Sequence, residues 1–188
     1  VVYDNSDVIS ACRCWYTFIF FGHKPNLISV LDGGLLKWKK EKKETTSRAS
    51  KLEKKIYKAK KISNLVKTQN EINKNILEKK FKVVDARSKK RFLGLEKEPR
   101  PGLKSGSIEN SYCLPFGELI NLENKTFLEK NLIKEKFAGI GVNNENNVVF
   151  SCGSGITAAV LGLAYSMIND KYLPIVYDGS WAEYGRIK

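Results

Sequence analysis

Short apolar runs alternate with longer stretches in which apolar residues recur at helical spacing. A Thr-x-x-Glu capping box at residues 68–71 begins the first clear helix and places Ile72, Ile76 and Leu77 on its apolar face. The pattern predicts strands at residues 81–85, 112–115, 147–150 and 174–177, and helices at residues 69–77, 127–137 and 157–168. Elements in this order predict an α/β fold, a doubly wound parallel sheet with helices on both faces.

The beginning of the chain resembles its end. Residues 1–5 align with residues 148–152, and Leu-Asp-Gly-Gly at residues 31–34 aligns with Tyr-Asp-Gly-Ser at residues 177–180. Any two strand–helix–strand units share some pattern, but a common register over about forty positions favours a duplication. In this alignment Asn5 takes the place of Cys152, so the first copy lacks the thiol.

The stretch at residues 41–61 is highly charged and poor in apolar residues, which predicts a linker. We therefore divide the chain into residues 1–40, the C-terminal part of an incomplete first domain, the linker at 41–61, and a second domain at 62–188. The chain begins at Val1 and not at Met, so we interpret it as a fragment or processed form from which a targeting segment can be missing. The expected location is the cytoplasm.

Charge, apolar run length and cysteine count disfavour several classes of function. The net charge is +13, but the lysines are spread over the linker and the helix faces without interleaved aromatic residues, which disfavours specific nucleic-acid binding. The longest apolar run, residues 15–22, is too short to span a membrane. Four cysteines without paired metal spacing and one histidine predict neither a metal nor another cofactor, and they suit a reducing compartment.

One cysteine lies in a distinctive loop between a predicted buried strand and a predicted helix. We call residues 152–157 the cradle loop; its members are Cys152, Gly153, Ser154, Gly155, Ile156 and Thr157. The two glycines let successive N–H groups point inwards, and the following helix adds the positive end of its dipole. The loop is therefore predicted to favour a thiolate or a persulfide anion over a neutral thiol. The alternative is a buried structural cysteine.

A phosphatase would use a similar loop. That chemistry requires an arginine six positions after the cysteine to bind the phosphate oxygens. The chain has Ala158 at this position, which disfavours a phosphatase.

Several motifs accompany the cradle loop. They are Val-Asp-Ala-Arg at residues 84–87, Arg-Phe at 91–92, Glu-Pro-Arg at 98–100 and Tyr-Asp-Gly-Ser-Trp-Ala-Glu-Tyr at 177–184. Together with Cys-Gly-Ser-Gly-Ile-Thr-Ala at residues 152–158, they resemble the 3-mercaptopyruvate sulfurtransferases, tandem-domain members of the rhodanese family. The resemblance extends over nearly the whole chain apart from the linker. It implies a rhodanese-like fold in which the second domain is the catalytic one.

The resemblance also implies a reaction. Cys152 would take the sulfur of 3-mercaptopyruvate as a persulfide, release pyruvate, and pass the sulfur to a thiol such as thioredoxin or to cyanide. Arg91 and Arg100 would hold the carboxylate and carbonyl of the donor, which suits the bidentate guanidinium group. Ser154 would donate a hydrogen bond to the donor or help to deliver a proton. Thiosulfate-specific rhodaneses carry basic residues after the cysteine, so the neutral Gly153 favours mercaptopyruvate.

Two departures from the family pattern keep alternatives open. The polar arm at residues 87–106 ends in Gly-Ser-Ile at residues 106–108, where the family has Gly-His-Ile. The family's Ser–His–Asp relay takes its His and Asp from the front of the first domain, whereas His23 lies in a motif that we interpret as structural. The alternatives are a thiosulfate:cyanide sulfurtransferase and a non-catalytic rhodanese-like binding module.

Overall fold

A parallel sheet forms the centre of the chain in a computed structural model, which describes residues 1–49, 51–144 and 146–187. Within these residues the sheet has five strands, in the order β1-β5-β4-β2-β3. The strands are β1 (Val66–Lys67), β2 (Lys82–Asp85), β3 (Tyr112–Cys113), β4 (Val148–Ser151) and β5 (Val176–Tyr177). All neighbouring strands are parallel. This arrangement confirms the predicted α/β fold.

Helices cover both faces of the sheet. They are α1 (Ala11–Phe20), α2 (Gly34–Lys40), α3 (Gln69–Glu78), α4 (Lys89–Phe92), α5 (Lys130–Gly139), α6 (Ala158–Ile168) and α7 (Ser180–Tyr184). Val148 and Phe150 of β4 pack with α1, α5 and α6, and Val149 packs on the opposite side with α3 and α7. Successive strand residues thus alternate between two apolar cores, as the pleat requires. Throughout the described ranges, no helix combines the length and apolar character needed to cross a membrane.

In helix α3 the apolar pattern predicts one buried position correctly and another wrongly. Its capping box is present, because the Glu71 N–H donates to Thr68 Oγ1 at 3.3 Å and the Thr68 N–H donates to Glu71 Oε2 at 2.8 Å. Ile72 is buried, but Leu77 is 86% exposed, so its assignment to the apolar face was wrong. Asn75 lies on the buried side instead, and its amide pairs with both backbone groups of Phe81 at 2.8 and 3.0 Å. The helix is thereby attached to the start of β2.

The helix predicted at residues 127–137 begins later, at Lys130. Phe127 forms an antiparallel bridge with Ile120, which closes a tight hairpin. The Phe127 N–H also donates to Asp32 Oδ1 at 2.8 Å. This contact across 95 positions holds the residue out of the helix, and a local pattern does not record it.

The N-terminal segment, residues 1–40, packs directly on the larger sheet. Helix α1 contributes Cys12, Trp15 and Tyr16 to the same apolar core as α6, and the Tyr16 hydroxyl donates to the Leu65 carbonyl at 2.8 Å. Val2 and Val30 form an isolated parallel bridge. The segment therefore shares its core with the second domain.

Matching hydrogen bonds correct the predicted alignment of the two loops. Val2 N–H donates to Ser29 O at 2.7 Å, and Phe150 N–H donates to Ile175 O at 2.9 Å. Leu35 N–H donates to Asp4 O at 3.0 Å, and Trp181 N–H donates to Cys152 O at 2.9 Å. The residue in the place of Cys152 is therefore Asp4 and not Asn5. The loop before α1 is one residue longer than the loop before α6, which shifts the register.

Candidate active site

Cys152 lies at the carboxyl edge of the sheet, directly after β4. Its side chain is 2% exposed. Its backbone N–H donates to Ser180 Oγ at 3.1 Å, and the Ser180 hydroxyl donates to the Tyr177 carbonyl at 2.8 Å. Trp181 N–H donates to the Cys152 carbonyl. The first residues of α7 thus fix the cysteine backbone from both sides, and Ser180 adopts a left-handed φ of 49° to do so.

The cradle loop directs a backbone donor at the sulfur. Ser154 N–H donates to Cys152 Sγ at 3.4 Å, and α6 begins two residues after the exposed Ile156, at Ala158. The two glycines serve different purposes. Gly155 has a φ of +78°, as expected for a curled loop, whereas a Cβ on Gly153 would lie 3.1 Å from Arg91 Nη2. Gly155 therefore serves the loop backbone, and Gly153 lets the Arg91 guanidinium approach closely.

The loop before α1 has a carboxyl group at the position that corresponds to Cys152 in the hydrogen-bond pattern. There the Asp4 carboxylate accepts hydrogen bonds from Ser6 Oγ at 2.6 Å, Ser10 Oγ at 2.8 Å and the Ala11 N–H at 3.1 Å. Asp4 is the counterpart of Cys152 in the hydrogen-bond pattern. A turn with the same hydrogen-bond pattern thus surrounds a carboxyl group with donors, which supports an anion-binding role for the cradle loop.

Both predicted donor-binding arginines contact the cradle loop at Gly153. Arg100 Nη1 donates to the Gly153 carbonyl at 3.2 Å. Arg91 donates from Nε and Nη2 to Glu98 at 3.1 and 2.5 Å, so this edge of its guanidinium is occupied. Within the described residues Arg100 makes no ion pair, which makes it the uncompensated cation beside the cysteine. The structure thus brings Arg91, Arg100 and Ser154 together around Cys152.

A buried charge network supports the arm. Arg87 bonds Asp85 at 2.7 Å, Glu98 at 2.7 Å and the Gly106 carbonyl at 2.8 Å, and its guanidinium lies 4.4 Å from the ring centroid of Trp181. The side chains of Asp85, Arg87 and Glu98 are at most 2% exposed. Burial raises the pKa of Glu98, but the hydrogen bonds from Arg91 and Arg87 outweigh it and leave the pKa below its ordinary value. Glu98 therefore stays ionised and holds Arg91 in place.

The other cysteines lie in different surroundings. Cys12 is fully buried, and burial raises the pKa of its thiol far above the ordinary value. Burial, followed by the nearby Asp85, raises the pKa of Cys113 to about 11. Both are therefore thiols at neutral pH. Cys14 is exposed, and Cys113 is half-buried.

Sequence reasoning missed several residues that build this site. Ser180 and Glu98 were noted only as parts of motifs, and neither was given a role. Arg13 was not singled out, although it donates to the Gly155 carbonyl at 3.1 Å and to the Asp178 carboxylate. The Asp-x-Arg spacing of Asp85 and Arg87 at a strand end was the available signal for the buried network. No local signal links Arg13 to Asp178, 165 positions away.

The fold and the loop define a class: a parallel α/β protein that presents a cysteine in an anion-binding strand-to-helix turn. Comparison with known proteins narrows the class. Residues 68–186 match the family model described as Rhodanese-like domain. Because this match covers more than half of the chain, the chain belongs to the rhodanese-like family.

Individual relatives are similar over nearly the whole chain. The chain is 37% identical to 3-mercaptopyruvate sulfurtransferase of Mus musculus, over 98% of this chain and 61% of the relative. It is 34% identical to the mitochondrial thiosulfate/3-mercaptopyruvate sulfurtransferase 1 of Arabidopsis thaliana, over 98% and 53%. The crystal structure of the 3-mercaptopyruvate sulfotransferase SseA from Escherichia coli superposes with a TM-score of 0.79 at 28% identity, over 95% of this chain and 65% of SseA. The chain thus spans between half and two thirds of these proteins.

The glutamate that holds Arg91 is expected to control stability in a pH-dependent way. Glu98→Gln should lower the free energy of unfolding at neutral pH by about 3 kcal/mol, because it removes the buried counter-charge that the buried Arg87 and the partly exposed Arg91 share. Since the pKa of Glu98 is depressed from 4.5, its contribution is complete above that pH and is lost as the pH falls below it. The difference between wild type and variant should therefore shrink in acid. Urea unfolding at several pH values measures it, with the exposed Glu135→Gln as control; a pH-independent difference would contradict the assignment.

Two buried serines beside Cys152 provide a matched pair of substitutions. Ser180→Ala should destabilise the protein by about 1–3 kcal/mol, because the Cys152 N–H and the Tyr177 carbonyl both lose a partner. Ser151→Ala should have almost no effect, since Ser151 Oγ is buried and has no hydrogen-bond partner among the described residues. Chemical unfolding of both variants measures the two changes in the free energy of unfolding. Equal losses would mean that the Ser180 bridge does not support the cysteine backbone.

Proposed function

We propose that the chain is the catalytic part of a 3-mercaptopyruvate sulfurtransferase and that Cys152 carries the transferred sulfur. The observation that carries the proposal is the Ser154 N–H directed at Cys152 Sγ, with the guanidinium groups of Arg91 and Arg100 against Gly153. The names of the mouse and Arabidopsis relatives support the same donor. The division into an incomplete first domain at residues 1–40, a linker at 41–61 and a catalytic domain at 62–188 is part of the proposal.

The first half-reaction moves sulfur to the enzyme. The Cys152 thiolate attacks the sulfur of 3-mercaptopyruvate, an S–S bond forms, and the C–S bond of the donor breaks. Its electron pair passes into the enolate of pyruvate, which takes up a proton and leaves as pyruvate. The product is a persulfide anion on Cys152, which the N–H groups of the cradle loop and the N-terminus of α6 stabilise.

The second half-reaction restores the thiolate. A thiolate acceptor attacks the outer sulfur of the persulfide, and the S–S bond to Cys152 breaks. The acceptor leaves as a persulfide, and Cys152 returns as a thiolate held by the same loop. We propose a thiol such as reduced thioredoxin as acceptor, with cyanide as a substitute in an assay.

The two arginines divide the recognition of the donor. Arg100 uses Nη1 on Gly153, so its Nε–Nη2 edge can bind a carboxylate in a bidentate way. The Nε–Nη2 edge of Arg91 is bonded to Glu98, so its Nη1–Nη2 end binds the carbonyl of the donor. Ser154 is half-buried beside the sulfur, and its hydroxyl donates to the donor or helps to protonate the enolate.

Thiosulfate is the second candidate donor. The name of the Arabidopsis relative includes both donors. Mercaptopyruvate is favoured here because Gly153 and Ser154, the residues after the cysteine, are neutral, and a Cβ at Gly153 would crowd Arg91 Nη2 at 3.1 Å. The same relative is mitochondrial, so the proposed cytoplasmic location is open to a direct test by imaging of a tagged protein.

Intact-protein mass spectrometry tests the function. After mixing with 3-mercaptopyruvate, the folded protein should gain the mass of one sulfur, and the gain with thiosulfate should be smaller. Cys152→Ser should abolish the gain, whereas Cys14→Ser, which removes the exposed thiol, should leave it unchanged. No gain with either donor in folded protein would favour a non-catalytic binding module.

Substitutions of Arg100 distinguish bidentate recognition of the donor carboxylate from a simple effect of the arginine's positive charge. Arg100→Ala should lower the rate of sulfur loading from mercaptopyruvate by about tenfold to a hundredfold, since a hydrogen bond to a charged group contributes about 1.5–3 kcal/mol. Arg100→Lys keeps the charge without the planar fork, and it should impair mercaptopyruvate more than thiosulfate. Stopped-flow measurement of pyruvate release and sulfur loading provides the rates. Arg91→Ala should show the same donor dependence, and equal losses with both donors would refute the carboxylate assignment.

A further inference from the structure

An arginine of the N-terminal segment contacts the cradle loop from outside the second domain. Arg13 lies on α1, and its Nη1 donates to the Gly155 carbonyl at 3.1 Å. The same nitrogen pairs with the Asp178 carboxylate, in the motif that precedes α7. The guanidinium also lies over the ring of Tyr16, 5.5 Å from its centroid. Three elements therefore converge on Gly155: α1, the cradle loop and the turn after β5.

The packing around Gly155 leaves no space for a side chain. A Cβ at this position would lie 2.7 Å from Arg13 Nη1, 2.7 Å from Asp178 Oδ1 and 3.0 Å from the Asp178 carbonyl. The φ of +78° is a second reason for glycine. The absence of a side chain lets Arg13 approach the loop backbone directly, so the ion pair acts on the peptide unit itself.

The hydrogen bond to Arg13 orients a peptide unit of the loop. In a trans peptide the carbonyl and the following N–H point in opposite directions. When the Gly155 carbonyl faces Arg13, the Ile156 N–H faces away from α1. The Ser154 N–H of the same loop donates to Cys152 Sγ at 3.4 Å, and the Ile156 N–H is expected to join it around a sulfur anion.

The stability of the protein depends little on this ion pair. The side chains of Arg13 and Asp178 are 31% and 48% exposed, and ion pairs of this exposure contribute little to the free energy of unfolding. Buried contacts hold α1 on α6, and Tyr16 and Ile19 are at most 2% exposed. Loss of Arg13 should therefore change the loop and leave the fold intact.

We infer that Arg13 is a positioning residue for the cradle loop, supplied by the N-terminal segment, and that Asp178 orients Arg13 for this role. The inference rests on the proposed function of Cys152 in sulfur transfer. Arg13 does not touch the donor. It sets the direction of the donors that stabilise the thiolate and the persulfide, so its loss affects the rate of sulfur loading and leaves donor binding by Arg91 and Arg100 unchanged.

The test compares Arg13→Met with a control, Arg48→Met. Arg48 lies in the charged stretch at residues 41–61 and is exposed, and within the described ranges its side chain makes no hydrogen bond or ion pair. Both variants carry Cys14→Ser, which removes the exposed thiol, and peptide mass spectrometry separates a label on Cys152 from one on the half-buried Cys113. Arg13→Met should lower the maximal single-turnover rate of loading by 3-mercaptopyruvate about tenfold, with an unchanged half-saturating concentration. The rate of Cys152 alkylation by iodoacetamide, located by peptide mass spectrometry, should fall with it. The unfolding midpoint should stay within about 3 °C of the control.

A second substitution tests the part played by Asp178. Asp178→Asn should slow loading, and the double variant should be no slower than Arg13→Met alone, because Asp178 acts through Arg13. Loading and alkylation at the rate of the Arg48→Met control would overturn the inference, as would a higher half-saturating concentration at an unchanged maximal rate. If the parent protein loads no sulfur from either donor, the proposed function fails. The alkylation rates then still decide whether Arg13 sets the environment of Cys152.

Discussion

The edge of the sheet that carries Cys152 depends on one buried arginine. Arg87 neutralises Asp85 at the end of β2, bonds Glu98 and the Gly106 carbonyl on the arm, and stacks on Trp181 of α7. Two carboxylates and one guanidinium in an apolar environment are stable only when all their hydrogen bonds are made together. The arm is therefore fixed against the sheet at both ends. Through Glu98, the same network determines where Arg91 lies, and Trp181 in turn bonds the Cys152 carbonyl.

The cradle loop and the loop before α1 both direct backbone donors at a side chain, but the side chain differs. Each precedes a helix, where backbone donors and the helix dipole favour a negative charge, but Cys152 follows β4 whereas Asp4 follows only the isolated bridge at Val2. Before α1 the group in this place is the carboxyl group of Asp4, which accepts hydrogen bonds from hydroxyl and N–H groups. Before α6 it is the sulfur of Cys152, which on the proposed function is loaded and unloaded. The turns are alike in their hydrogen bonds, and the residue at the start of each differs.

Local patterns predicted the parts of the molecule that local physics determines. The apolar strands, the capping box of α3 and the glycine-containing cradle loop were found because buried strands, helix caps and curled loops leave short-range signals. The loop register was misjudged because one extra residue before α1 moves Asp4 into the place of Cys152 without altering the apolar pattern. Leu77 was misplaced because Asn75, which bonds the Phe81 backbone, takes the buried side of α3, and Phe127 was misplaced because of its contact with Asp32, 95 positions away. The contact between Arg13 and Asp178 joins distant positions in the same way.

The arginines around the cysteine fall into two groups by the partners of their charge. Arg87 and Arg91 are paired with buried carboxylates, and Arg13 is paired with Asp178, so these three add little net positive charge to the site. Arg100 contacts a backbone carbonyl and, within the described residues, has no acidic partner. On the proposed function, an anionic donor is attracted by Arg100 and the backbone dipoles, while the paired arginines fix the geometry around Gly153.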